Sequence, residues 1–202
     1  SCQKGKMSYI TKFGSFWGML PQTSGRIFWV APSASYTVEG VTYTASDGND
    51  GLSPERAFLT TDYAVGRTTA NVGDVIVLLP GSHTSTAVIT LDVAGIIVTG
   101  IPGDIPHGGS RRNSGPRRLR TRITNSSAAG LVFTVAAVDI EIAHLDIAPP
   151  AGGGQGVRVE LAGSDVYIHD CSISMIATAA ITTYGITSPL AAPGVNVDNI
   201  LV

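Results

Sequence analysis

Residues 95–101 (GIIVTGI), 139–145 (DIEIAHL), 165–171 (DVYIHDC) and 194–200 (GVNVDNI) share one register. Steps of 44, 26 and 29 positions carry Ile96 onto Ile140, Val166 and Val195, and Val98 onto Ile142, Ile168 and Val197. A third column runs Ile101, Leu145, Cys171 and Ile200. Residues between the columns vary freely, as in Ile97, Glu141, Tyr167 and Asn196. Apolar identity kept only at alternate positions is the period of a strand with one buried face. The four segments are expected to be strands stacked one per repeat.

A second strand belongs to each repeat. Val88, Val132 and Arg158, with Leu91, Val135 and Leu161, align under the same steps of 44 and 26. Units of about 26 to 29 residues holding two or three short strands and no helix match the coils of a parallel β-helix, stacked about 4.8 Å apart. A leucine-rich repeat would need its leucine and asparagine consensus, which is missing. A β-sandwich of short strands accounts for the alternation but not for a register of three columns. The fold expected is all-β, a right-handed parallel β-helix.

Two hundred and two residues suffice for one elongated domain. Only 14% of them are charged, against about 25% in ordinary domains, and mean hydropathy is positive. No apolar run reaches the roughly 18 residues of a membrane span, so no membrane partner is expected. Apolar flanks must then be covered by close stacking of coils or by neighbouring chains. A net charge of −2 gives no general attraction to nucleic acid. Cys171 lies in an inward column and reads as a small buried hydrophobe; with Cys2 far away, no disulfide framework follows. Residues 1–12 carry Lys4, Lys6 and Lys12 and lack the apolar core of a signal peptide.

Residues 1–35 stand outside the repeat and hold Phe13, Phe16, Trp17, Phe28 and Trp29. Such an aromatic, glycine-punctuated arm suits docking on a partner; equally, the rings can cap the open end of the same chain's core. Residues 36–202 form the β-helix domain. Within it come a polar turn cluster (44–58), a short helix within 61–70 that plugs the first coil, and a buried strand ending in a Pro-Gly turn (72–84). The step of 44 exceeds the others because residues 103–122 are inserted as a basic loop. That loop carries Arg111, Arg112, Arg117, Arg118, Arg120 and Arg122, six of the thirteen Lys and Arg residues. The pattern stops at Val202 with Ile200 and Val202 at inward positions. Solenoid ends are normally capped, so the chain is expected to continue or to be covered by a partner.

The sequence of polar turn, short helix and strand ending in Pro-Gly resembles the entry of pectate-lyase-like right-handed β-helix proteins. With its aromatic leader, the chain is similar to virion structural proteins and tailspike-type appendages of tailed bacteriophages. The resemblance implies a virion location, contacts with other virion proteins, and a homo-oligomer, such as the trimers of viral adhesins, with polysaccharide as a further ligand.

Clustered guanidinium groups pair with carboxylates or phosphates, so the arginines are candidates for partner contact, though no aromatics are interleaved to stack bases or sugars. A merely solvated loop is the plainer alternative. On the coils, Glu141, Asp146, Asp170 and Asp198 are available, with His169 in register with Asp198. Glycosidases need two carboxylates about 5 to 9.5 Å apart. Asp139 and Asp165, at one turn position in successive coils, read as turn residues. The Asn-Thr-Asp, Gly-His-Gly and Arg-Ile-Lys elements of polygalacturonases are absent, and His107 in PHGG is not among them. The Asp47, Asn49 and Asp50 group (DGNDG) reads as a turn, lacking the spaced ligands of a calcium loop. No catalytic residue, metal ligand or cofactor is assigned. The expected function is that of a non-enzymatic virion structural protein whose aromatic arm and arginines make assembly contacts. The competing readings are a polysaccharide depolymerase or lyase and a carbohydrate-binding adhesin, for which Tyr167 and Tyr184 would be the platforms.

Overall fold

The computed structural model describes residues 23–101, 121–126, 130–149, 155–160, 165–173, 184–187 and 194–198. Strands β1 (Ile27–Val30), β4 (Val75–Leu78), β7 (Ile97–Thr99), β10 (Glu141–Ala143), β13 (Val166–His169) and β16 (Val195–Asp198) form a six-stranded sheet in that order. Strands β5 (Gly81–Ser85), β8 (Thr121–Asn125), β11 (Asp146–Ala148) and β14 (Ser172–Ile173) form a second sheet. Strands β6 (Ile89–Leu91), β9 (Leu131–Val135), β12 (Gln155–Val159) and β15 (Tyr184–Thr187) form a third. Pairing within all three is parallel. The chain visits each sheet once per turn, and the fold is a right-handed parallel β-helix.

The opening register holds in three dimensions. Val98 pairs with Ile142, Ile142 with Ile168 and Ile168 with Val197. Two earlier rungs extend the column, because Phe28 pairs with Ile76 and Ile76 with Val98. Phe28, Ile76, Val98, Ile142 and Ile168 are all buried in one core with Leu91, Ile123, Phe133, Leu145, Ile147 and Cys171. Burying each such side chain contributes about 1.5 to 3 kcal/mol. Parallel pairing places like residues one above another; a polar residue enters an inward column only with its own partner, as His83 does beside Ile123 by donating to the Leu79 carbonyl.

Three expectations are corrected by this geometry. The second ladder steps by 24, not 26, between β9 and β12, since Phe133 pairs with Val157 and Thr134 with Arg158. Coil corners absorb length independently, and a slip of two keeps every side chain on its face; Leu161 lies outside the described residues. Ile101 leaves the inward column and packs with the outer cluster around Trp29 and Leu79. The boundary at residue 35 falls inside the fold, since β1 is the first rung and Phe28 and Trp29 are 2% and 1% exposed. Phe28 belongs to the inner core and Trp29 to the outer cluster under the hairpin. Phe13, Phe16 and Trp17 lie outside the described residues.

The N-terminal region covers that first rung. A hairpin of β2 (Ser35–Val38) and β3 (Val41–Thr44) supplies Tyr36 and Val38 to an outer cluster with Trp29, Ala57, Val75, Val77 and Leu79. This explains why β4 is buried at all four positions: its even residues face the coil interior and its odd residues face the cover. Helix α1 (Thr61–Arg67) starts at Thr60, whose side chain accepts from the Tyr63 N–H. Its Ala64 and Val65 enter the inner core beside Phe58, plugging the first coil as expected.

Corner geometry settles the role of two aspartates. Asp139 and Asp165 have φ of 56° and 55°, in one column with Gly95 and Gly194 at 72° and 73°. Left-handed backbone favours Gly and, among other residues, Asn and Asp. They are turn residues.

One buried carboxylate ties cover to coil. Asp74, fully buried, accepts from the Arg26 N–H at 2.6 Å, the Thr69 N–H at 2.8 Å and the Arg26 guanidinium at 3.0 Å. Burial opposes its charge, but these hydrogen bonds and the Arg26 charge outweigh it and hold the carboxyl below its ordinary value. Its stabilisation is therefore present above the unfolded value of about 3.9 and is lost as pH falls through the lower folded value.

Two outcomes follow in denaturant unfolding. Trp29→Ala lowers stability by about 3 to 5 kcal/mol, whereas a ring in a solvated arm would leave the midpoint unchanged. Asp74→Ala leaves two N–H groups without acceptors and costs about 1 to 3 kcal/mol at pH 7, a difference that shrinks below about pH 3.9.

Candidate functional site on the outer sheet face

Residues that alternate with the inward ladder face outward, and their character changes along the axis. One outward column runs Ile27, Val75, Ile97, Glu141, Tyr167 and Asn196; the next runs Trp29, Val77, Thr99, Ala143, His169 and Asp198. The first three rungs are apolar apart from Thr99 and lie under the N-terminal cover. From the fourth rung the face turns polar.

There His169 is bonded on both sides. Its Nδ1 lies 2.9 Å from Asp170 Oδ2 and its Nε2 lies 3.1 Å from Glu141 Oε1. Glu141 sits one rung away and two residues out of step, the diagonal neighbour on the same face. The Tyr167 ring stacks on the imidazole, centroids 4.3 Å apart and planes at 22°, and His144 meets it edge-on at 5.7 Å. His169 and Asp170 are half-buried, while Tyr167 is 38% exposed. Partial burial alone would lower the His169 pKa, but the hydrogen bonds and charges of Asp170 and Glu141 overcome it and raise it.

This cluster is a carboxylate–imidazole–carboxylate triad with an aromatic face. Both carboxylates are directed at the same imidazole ring. Among the described residues no group of three His, Cys, Asp or Glu side chains is disposed to hold a metal ion. Other reactive groups are sequestered. Burial lowers the His83 pKa to about 4, and its Nε2–H donates to the Leu79 carbonyl at 2.7 Å. Burial pushes the Cys171 thiol up to about 12, so it carries no thiolate near neutrality. A mostly apolar cleft of about 270 Å³, lined by Tyr36, Val38, Glu39, Leu79 and Ile101 among others, opens beside the hairpin. The Tyr36 hydroxyl is already engaged, donating to the Pro54 carbonyl and accepting from the Ala57 N–H.

Of the arginines expected to contact partners, only Arg122 lies among the described residues. It is on β8 within the regular coil, not in a projecting loop, and its Nε is 4.0 Å from Asp146 Oδ2 of the next coil. Arg111, Arg112, Arg117, Arg118 and Arg120 lie outside the described residues. The DGNDG turn behaves as a turn: Asp47 Oδ1 accepts from the N–H groups of Leu59 and Thr60, and Asp50 Oδ1 accepts from the Leu52 N–H. The Glu141–His169 pair escaped sequence reasoning, which compared only residues directly in register. The signal was present in the outward positions of neighbouring rungs two residues apart.

No protein-family model matches the chain, and no curated protein matches it. Among solved structures it is similar to a pectin methylesterase in complex with hexasaccharide VII, with 17% identity over 72% of this chain and a TM-score of 0.46. It is also similar to pectin methylesterase PemA from Erwinia chrysanthemi, with 17% identity over 82% of this chain and a TM-score of 0.49. The chain spans 46% of the length of each.

The triad makes a direct titration prediction. In wild type the His169 ring protons titrate above 6.5, the ordinary histidine value, by NMR. Glu141→Gln removes one charge partner and moves the midpoint down, and an unchanged midpoint would show that the pair is not formed in solution. Because the folded value is raised, the triad's stabilisation is full below about 6.5 and is lost as pH rises through the folded value.

Proposed function

We propose that the protein is a non-enzymatic structural component of a tailed-bacteriophage virion, capsid-associated or in a tail appendage, whose β-helix is a rigid scaffold for assembly contacts. The observation that supports this reading is the state of the ionisable groups on the regular coils. Four of them on the coil strands are engaged within the protein: Arg122 with Asp146, Arg158 with Glu160, His169 with Glu141, and His83 with a backbone carbonyl. A catalytic surface would leave an acid and a base converging on open space; these groups brace one coil against the next or close a corner. The continuous core beneath them resists local opening, since each rung is bonded to both neighbours. Such a body suits presentation of surfaces rather than turnover.

Mass spectrometry and antibody-labelled electron microscopy of purified particles test the reading. The chain is expected at a fixed stoichiometry in the particle, and isolated protein is expected to release no reducing sugar from host surface polysaccharide. Particles lacking the chain, or measurable sugar release, would overturn it.

A further inference from the structure

Charge is distributed unevenly along this chain. Residues 103–122 hold six arginines against one aspartate, whereas residues 123–202 hold seven carboxylates against Arg158 alone. With histidines neutral, a net charge of +5 precedes one of −6. On the described surface, the negative part presents the Glu141, Tyr167, His169 and Asp170 face. The triad keeps a net charge of −1 even with His169 protonated. Tyr167 supplies an exposed aromatic face, held in one orientation by its stack on the imidazole.

Carboxylates beside an oriented aromatic ring are the chemistry that takes a guanidinium group. The carboxylates accept its N–H groups, and the ring stacks on its plane. We propose that this outer face, centred on Tyr167 and Glu141, is the docking surface for the arginine-bearing segment of a second copy of this chain. Charge complementarity within one sequence argues for the second copy as occupant. Donor and acceptor are different segments of the sequence, so copies associate either by reciprocal exchange in a closed pair or head to tail, in a ring, a trimer for example, or a filament. The inference rests on the assembly reading only for its biological setting. A chain found in particles yet incapable of self-association would overturn this proposal and leave that reading intact.

Sedimentation velocity of the full chain at about 100 µM tests it, in about 50 mM and about 0.5 M salt, where screening differs severalfold. Wild type is expected to associate at low salt and dissociate at high salt. Tyr167→Ala, which removes an exposed side chain, and the combined Arg117→Glu and Arg118→Glu change are each expected to weaken association at least tenfold while keeping the wild-type melting transition. Mixing these two variants restores one productive contact per pair, because one retains the arginines and the other the platform. A wild type that stays monomeric at low salt, association indifferent to Tyr167→Ala, or a mixture no better than its parts would each refute the proposal. Binding of the monomer to a neutral oligosaccharide through Tyr167, without self-association, would assign the face to a glycan instead.

Discussion

In a parallel β-helix the backbone groups of each rung are satisfied by the rungs above and below, and nothing within a rung replaces them. In-register stacking is therefore the constraint on which the other features depend. It demands the apolar column from Phe28 to Ile168, and it leaves the first rung with an unpaired edge. Exposed edges invite further strand addition. Here the residues that close the edge come from the same chain: the Trp29 N–H donates to the Gly51 carbonyl at 2.8 Å, the Phe58 N–H to the Trp29 carbonyl at 2.8 Å, and the Ala31 N–H to the Phe58 carbonyl at 2.9 Å. Helix α1 then fills the end of the coil. The N-terminal region is thus part of the solenoid's stability.

The same cover decides where chemistry is accessible. Outward positions on the first two rungs are Ile27, Trp29, Val75 and Val77, clustered with Tyr36 and Val38 of the hairpin or packed against them. Where the cover ends, the same columns become Glu141, Tyr167 and His169. On this face the polar side chains described are therefore found on the later coils, where their neighbours in the ladder hold them in position. The triad links the fourth and fifth rungs through Glu141 and His169, so the surface residues that face solvent also brace the stack.

Inward positions were legible in the sequence because burial restricts residue type: a column that must stay apolar repeats visibly over Val98, Ile142, Ile168 and Val197. The third sheet was less legible, since corner lengths vary and a slip of two, as at Val157, leaves the apolar alternation intact. Phe28 and Trp29 were misplaced for a related reason. Their rung stands 48 positions before the next, and a hairpin and a helix lie between the two in place of coil strands, so no second strand repeats beside it. Outward residues face fewer packing constraints, so their columns carry no compositional signature. Glu141 and His169 meet along a diagonal, which only the strand register reveals.

The polar contacts of the two ends respond to pH in opposite senses. Asp74 ties Arg26 beside the first rung and Thr69 after the helix to the second rung through a carboxylate held below its ordinary value, and gives way on the acid side. The His169 triad stabilises through an imidazolium held above its ordinary value and gives way as pH rises. Only between the ordinary carboxylate and histidine values, about 4 to 6.5, are both contacts fully formed. The inward column of the six-stranded sheet is carbon from Phe28 through Ile168, whereas the second sheet does place a titrating group inward, His83, which pairs with Ile123 and is held down to about 4 by burial. Charge in this fold orients the cover and the outer face, and the apolar stack beneath holds the coils together through both transitions.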